Sequence, residues 1–303
     1  MARAKDDRGA PRYRAPALEK GLDILELLAD RPEGLSQTEI ARALERSVGE
    51  IFRMLACLVE RGFITIQRPS DRYVLTLRLF ELAHKHAPLQ QLIASALPRM
   101  RELAKGVHQS CHLTVVESGH GVVVAQADAP GEIGFAVRVG SVVDLLATAS
   151  GRVLLAFQAP GERERILALE PGSRARRAFL AQHEEMLEVV RARGHEDMES
   201  TRIRGVHDLS YPVLDGRGSA VAAMTMPYIE RLDLADVSLD GARVALEKAA
   251  ADLSTPLGGP PRPSLSALRT AAQGGAGGGP GRTSSPDEDP APAREFEISR
   301  LAH

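Results

Sequence analysis

The strongest constraint on this chain is a serine–glutamate pair that occurs twice within LSQTEIARALERSVGEIFRMLACLVERG, residues 35–62: Ser36 with Glu39, and Ser47 with Glu50. In such a pair the serine hydroxyl accepts from the N–H of the glutamate, whose carboxylate accepts from the serine's own N–H, so each pair marks a helix start. Apolar residues follow at helical spacing, Ile40 and Leu44 after the first pair and Ile51, Leu55 and Leu58 after the second. Both helices must bury a stripe. Only Leu44 to Arg46 separates them, so the second leaves the first at a steep angle, as in a helix-turn-helix. Val48, Gly49, Glu50, Arg53 and Arg61 then fall on the second helix's outer face.

The flanking segments fit that frame. Ala17–Ala29 carries Leu18, Leu22, Leu25 and Leu28 at helical spacing and is predicted to back the pair. After Gly62, the β-rich runs Phe63–Gln67 and Tyr73–Leu77 are joined by Arg68-Pro69-Ser70-Asp71-Arg72, which is turn chemistry. Three helices and a hairpin make a winged helix-turn-helix over residues 15–78, with Arg68 and Arg72 at a wing tip suited to a sugar-phosphate backbone. Residues 1–14 form a basic arm with Arg3, Lys5, Arg8, Arg12 and Arg14 against Asp6 and Asp7, read as disordered, with phosphate contact as the sharper alternative.

Beyond the hairpin, Arg78 to about His86 reads as a rigid connector helix that stops before Pro88, giving a connector over 79–88. Residues 89–254 form a second domain. It opens with a helix over Leu89–Lys105, and strands are expected at His112–Glu117, Gly121–Asp128 and Gly134–Val139. Helices follow at Arg152–Gln158, Gly161–Leu169 and Arg174–Arg193, the last capped by Gly194. Strands at Leu209–Leu214 and Ala220–Met226 flank a turn, and Leu234–Leu253 closes the domain as an amphipathic helix. Helices on an antiparallel sheet make it α+β. Residues 255–303 are rich in Gly, Pro and Ser and are expected to be a disordered tail. Its glycine run has no preceding strand or following helix and is no phosphate loop.

The 303 residues suffice for two ordinary domains, and at 44% hydrophobic but 4% aromatic with no Trp the cores must be aliphatic. The net charge of −2 gives no global nucleic-acid signature, yet residues 1–78 hold 14 Lys/Arg against 12 Asp/Glu. That net of +2 leans towards DNA. Two cysteines, Cys57 and Cys111, suit a reducing cytosol better than a disulfide framework. The N-terminus has no apolar leader, and no run approaches the roughly 18 apolar residues of a membrane span, so a soluble cytoplasmic protein with no membrane partner is expected.

From Ala17 to about Leu253 the chain resembles the IclR family of bacterial transcriptional regulators. The likeness rests on ALEKGLDILELLAD, LSQTEIARALERSVGEIFRMLACLVERGFI, DRYVLTLRLFELA, CHLTVV, RVGSVVDLLATASGRVLLAF and DLSYPVLDGRGSAVAAMT. It implies a winged helix-turn-helix joined to an effector-binding domain related to the GAF fold, a double-stranded DNA operator, a small organic acid or aromatic catabolite as effector, and a homodimer or homotetramer. No cofactor is implied. Ser47–Arg61 becomes the recognition helix, with Val48, Gly49, Glu50, Phe52 and Arg53 at base- and phosphate-facing positions and Ser36, Gln37, Ser47, Arg68 and Arg72 around them. The family pattern is richer there in Lys, Ser and Thr, so this chain's operator is its own. Glu50 either accepts from a cytosine amine or only completes its cap, and Arg53 is the better DNA contact. The matching effector positions are His112, Leu145, Ala149, Ser150, Gly151, Asp208, Ser210 and Thr225. Gly151 permits close backbone approach, and the N–H groups opening its helix suit a carboxylate. His207-Asp208 departs from the family pattern, and an ionised Asp208 would disfavour a bare carboxylate.

Other classes have weaker support. Cys111-His112 and His207-Asp208 offer a nucleophile and a base, but strand neighbours point to opposite faces and no nucleophile elbow, zincin or Walker pattern accompanies them. A metal-responsive regulator using His112, His207 and Asp208, with His108 and Cys111 nearby, is the main alternative. The His108-x-x-x-His112 spacing straddles a helix-to-strand boundary. A pure interaction scaffold would show no sequence-dependent DNA binding.

Overall fold

Both serine–glutamate pairs close as capping boxes in the computed structural model, which describes residues 15–83, 85, 87–131, 134–169, 173–233 and 238–260. The Glu39 carboxylate accepts from the Ser36 N–H at 2.8 Å and that of Glu50 from the Ser47 N–H at 3.1 Å, while each serine Oγ accepts in return at 3.3 Å. These caps open α2 (Gln37–Ala43) and α3 (Val48–Glu60). Between them Glu45 adopts φ 54°, and the Arg46 N–H reaches the Ala41 carbonyl at 2.9 Å. A left-handed residue followed by this six-to-one bond is a Schellman stop, which reverses the chain within four residues. Gly62 (φ 75°) ends α3 in the same way, with the Phe63 N–H on the Leu58 carbonyl at 2.9 Å.

The first core joins Ile24 and Leu28 of α1 (Pro16–Ala29), Ile40 and Ala41 of α2, Ile51 and Leu55 of α3, and Ile64 of β1 (Ile64–Gln67). The expected α1 stripe is corrected: Leu18 and Leu22 are 63% and 50% exposed, because the helix docks through its second half only. β1 pairs with β2 (Arg72–Leu75) as the expected hairpin, from Ile64↔Leu75 to Gln67↔Arg72.

The connector differs from expectation. α4 (Arg78–Ala83) is a single short helix, and α5 (Ala87–Val107) already includes Pro88. At the second position of a helix the missing proline N–H costs nothing, so Pro88 starts a helix where the sequence reading had it stop one.

The rest of the described chain is built on a six-stranded antiparallel sheet in the order β5-β4-β3-β8-β7-β6, comprising β3 (Cys111–Glu117), β4 (His120–Ala127), β5 (Val142–Val143), β6 (Glu196–Glu199), β7 (Val206–Leu214) and β8 (Ala220–Ile229). The strand expected over 134–139 is absent; that stretch pairs with no strand, and β4 is met only from residue 140 onward, where the Gly140 N–H donates to the Val123 carbonyl at 2.8 Å, the Ser141 carbonyl accepts from the Val123 N–H at 3.0 Å, and Val142–Val143 form β5. β6, with sequence EDME, carries no strand signal of its own and exists because Glu196–Glu199 lies against His207–Ser210. Successive side chains alternate between faces. Cys111, Leu113, Leu209, Tyr211, Met224 and Met226 meet α5 and α9 (Leu239–Ser254), whereas Ala223 and Leu214 meet α6 (Ala149–Ala156), with α8 (Ser173–Arg193) packed beyond it.

α7 (Pro160–Ala168) contributes Arg163, which is fully buried. Its guanidinium donates to the Leu155 and Ala156 carbonyls, both at 2.9 Å, closing the C-terminal end of α6, and it pairs with Glu184 and Glu188. The 1–14 arm and residues 234–237, expected to open the last helix, lie outside the described residues. The disordered tail expected over 255–303 is corrected at its start, where Thr255–Leu257 continue α9 as a 3-10 turn and Gly258 bridges to Asp215; from residue 261 onward it lies outside the described residues. Among the described residues no helix is long and apolar enough to cross a membrane.

Losing a serine cap typically costs about 1 kcal/mol. Ser36→Ala and Ser47→Ala should each lower the urea-unfolding free energy by about that amount, with the double variant close to the sum.

Candidate functional site

The outer face of α3 is mostly side chains with nothing to hold inside the protein. Glu50 is the exception, because both its oxygens are engaged: Oε1 by Lys20 Nζ at 2.8 Å and Oε2 by the Ser47 N–H and Oγ. The Lys20 hydrogen bond, followed by those from Ser47, holds the carboxyl down at about 2. Glu50 is therefore a cap and a tether to α1. Ser36 and Ser47 are consumed as caps, and the Gln37 amide donates to the Val48 carbonyl at 3.3 Å, joining the starts of the two helices. Val48, Phe52 and Arg53 are exposed, and a Cβ added at Gly49 would meet nothing within 4 Å.

The hairpin arginines separate. Arg68 is exposed at the turn, but Arg72 points inward, donating to the Gly34 carbonyl at 2.7 Å and to Glu39 at 3.2 Å. Arg72 fastens the hairpin to α2, which corrects its placement at a wing tip free to meet phosphate.

A second site lies on the α6 side of the sheet. Strand register sets five polar residues directly opposite one another: Gln126 to His112, His112 to Thr225, Thr225 to Ser210 and Ser210 to Glu196. This row crosses five strands and, apart from Gln126, is buried. Ser210 and Thr225 share a hydrogen bond of 2.8 Å, and Glu196 ends the row by pairing with Arg152 of α6 at 3.2 Å. His112 Nδ1 and, one position along the same face, Thr114 Oγ1 are buried without a hydrogen-bond partner. Burial pushes the His112 imidazole down to about 4, keeping it neutral.

Above the row is a cavity of about 360 Å³ whose floor includes His112, Thr225 and Asp208 and whose wall includes Ala149 and Ser150 of α6. Two loops complete it, one with Phe135 and Arg138, the other with Arg202 and Ile203. Burial raises the Asp208 carboxyl, an effect opposed by the Ser200 hydrogen bond and the charges of His207 and Arg202. The helix start is fixed from below: Thr148 Oγ1 accepts from the Gly151 N–H at 3.2 Å, and Asp144 Oδ1 accepts from the Leu146 and Ala147 N–H groups. A Cβ at Gly151 would lie 2.4 Å from Leu145 Cα and 2.6 Å from the Asp144 carbonyl, so only glycine lets α6 sit this close.

Five of the residues selected from sequence thus line one cavity: His112, Ala149, Ser150, Asp208 and Thr225. Leu145 and Gly151 lie behind the wall and Ser210 within the floor, so they shape the cavity without lining it. Phe135, Arg138 and Arg202 were missed, the first two because their stretch read as a strand. A shared metal site at His112, His207 and Asp208 is corrected by geometry. His207 points to the α9 face, alongside Leu209, and the other two point to the α6 face; among the described residues no three His, Cys, Asp or Glu gather for a metal ion. Cys111 points into the α5 core, its thiol 3.5 Å from the Met100 carbonyl and pushed up to about 12 by burial, which suits no nucleophile.

Residues 17–67 match the family described as the IclR helix-turn-helix domain, and residues 84–255 match that described as the bacterial transcriptional regulator IclR C-terminal. The HTH-type transcriptional regulator KdgR of Dickeya chrysanthemi is 28% identical over 212 residues, covering 69% of this chain and 69% of its own. The glycerol operon regulatory protein of Streptomyces griseus is 30% identical over 220 residues, covering 71% of this chain and 86% of its own. A crystal structure of an IclR homolog from Microbacterium hydrocarbonoxydans complexed with 4-hydroxybenzoate shares the fold with a TM-score of 0.64 at 19% identity, covering 80% of this chain and 98% of that one.

A histidine that titrates near 6.5 when unfolded but at about 4 when folded favours the unfolded state as pH falls. The His112 contribution to stability should fall by about 3 kcal/mol between pH 6.5 and 4 and level off below. In chemical melts across that window, His112→Gln should show a shallower loss.

Proposed function

The chain belongs to the IclR family of bacterial transcriptional regulators, and on that premise we propose that α3 enters the major groove of its operator while a small organic acid or aromatic catabolite, held between α6 and the sheet, resets the operator affinity. Members of the family regulate transcription and are not enzymes, so Cys111 and its neighbours are read as structural. In this reading residues 15–78 bind DNA and residues 89–254 hold the effector. Symmetric half-sites call for two copies of α3, hence a dimer or a pair of dimers.

The observation that carries the effector half is the buried His112 nitrogen, unpartnered beside a cavity with a polar floor. Leaving such a group unbonded is costly, and a ligand hydroxyl supplies its partner. The ligand's carboxylate would lie towards the first N–H groups of α6 and the guanidinium groups of Arg138 and Arg202. A hydroxylated aromatic acid such as the 4-hydroxybenzoate bound by the Microbacterium protein has both ends. Asp208 sets the limit, since once ionised it repels a carboxylate nearby. α4 and the start of α5 would carry the change between the two functions.

Calorimetric titration with 4-hydroxybenzoate tests the cavity. Affinity should fall as pH rises through the raised Asp208 titration, and Asp208→Asn should bind more tightly at neutral pH with operator binding unchanged in the absence of ligand. An Asp208→Asn protein with the wild-type ligand response would refute the placement. On the DNA side, Arg53→Ala should weaken operator binding by about 1–3 kcal/mol and, if the contact is to phosphate, flatten its salt dependence. Fluorescence anisotropy across a salt series reads both.

A further inference from the structure

We infer that α3 reads thymine: Val48 and Phe52 form an apolar row that packs on thymine methyl groups at the major-groove edge. This rests on the reading above that α3 faces DNA, and it names the chemistry by which sequence is recognised there.

The argument begins with what α3 lacks. Direct readout by hydrogen bonds needs free polar side chains on the groove-facing part of a helix, usually near its N-terminus. Here the polar groups at that end are spent: Ser47 on its cap, both oxygens of Glu50 on Ser47 and Lys20, and the Gln37 amide on the Val48 carbonyl. Within the first two turns of α3 itself, Arg53 is the exposed side chain left to donate to a base edge or phosphate, with Arg46 just ahead of the cap. The side chains offered in quantity are apolar. Val48 and Phe52, four residues apart, are 45% and 57% exposed and sit outside the helix core. The one apolar group in the major groove is the C5-methyl of thymine, so contacts of this type select T over C.

Gly49 is a second observation. It is the second residue of α3, and nothing lies within 4 Å of the place its Cβ would take, so no crowding inside the chain calls for glycine there. At about 3.6 residues per turn it falls between the Val48–Phe52 row and Arg53, so bare backbone lies at the centre of the exposed face. A partner outside the chain gains from that close approach. Charge points to a polyanion: Arg42, Arg46, Arg53 and Arg68 are exposed around the face, while Glu39 and Glu50 are neutralised by Arg72 and Lys20.

The test begins by selecting duplexes from a random-sequence library with the full-length protein. In the selected half-site each thymine is then replaced by deoxyuridine, which removes only the methyl. Wild-type protein should lose about fourfold in affinity at one or two thymines, the worth of one buried methyl. Phe52→Ala should bind thymine and deoxyuridine forms equally at one of these positions, and Val48→Ala at the other. Both residues are exposed, so the variants should fold, and the wild-type comparison stands without them. Equal wild-type affinity for all replaced duplexes overturns the inference while leaving DNA binding intact. Discrimination retained in both variants also overturns it, as does a change in oligomeric state of Phe52→Ala without a methyl effect, which would mark the row as a protein contact. Failure to select any duplex removes the DNA-facing reading itself.

Discussion

The Glu50 carboxylate ties the start of α3 to α1 in the N-terminal helix-turn-helix domain. One oxygen closes the cap on which α3 begins, and the other takes Lys20 from α1. Both contacts are near the surface, where an ion pair contributes little to stability. Their value is positional: they help fix the angle and rotation of a short helix that buries only Ile51 and Leu55 fully, with Met54, Leu58 and Val59 partly buried beside them. They also remove the acidic and polar groups near the start of α3 from outside use. What α3 then exposes near its start is Val48, Phe52 and Arg53 beside the bare backbone of Gly49, so the bonds that build the helix also narrow the chemistry it presents. Arg72 repeats the pattern on the hairpin, where the charge expected outward is turned in to hold Gly34 and Glu39.

α6 is governed by the same logic. Asp144 and Thr148 bind the backbone at its start, Gly151 lets it press on residues 144 and 145, and buried Arg163 binds its final carbonyls. A helix of eight residues held at both ends makes a firm wall. The opposite sides of the cavity are loops carrying Arg138 and Arg202, both exposed. A firm wall and a hydrogen-bonded floor position a ligand, and the loops are the parts able to adapt around it.

Local features were legible in the sequence and pairing was not. The capping boxes, the hairpin turn and the Gly194 stop each depend on residues a few positions apart, so the pattern carries its own cause. The run GFAVRV over 134–139 alternates as a strand should, yet no neighbouring strand accepts it. EDME over 196–199 has no strand propensity and pairs because β7 offers an edge. The polar row was visible only as separate residues; His112, Ser210 and Thr225 were selected through family likeness, and Gln126 and Glu196 were not selected at all. Register brings them together, and register depends on contacts far apart in sequence. Pro88 misled for the opposite reason, since one residue type serves as a helix stop or a helix start according to the turn that receives it.

The polar row also bears on how the cavity can influence the rest of the chain. Replacing His112 with an aliphatic residue would make an easier core, because its unpaired buried ring nitrogen opposes folding, as the raised Asp208 carboxyl also does. His112 Nδ1, buried on the cavity floor without a partner among the described residues, is the group a ligand would engage in the proposed reading. A ligand that bonds to it binds the folded chain and not the unfolded one, so its binding energy adds to the stability of the arrangement it fits. Glu196 extends that effect, because it terminates the row on Arg152 of α6. Between His112 at mid-sheet and the β6 edge that anchors α6 lie two hydrogen-bonded strands, β8 and β7. The sheet edge and the cavity wall are thus joined by the Glu196–Arg152 ion pair as well as through packing, and a ligand that bound one arrangement of sheet and helix better than another would shift the population of both.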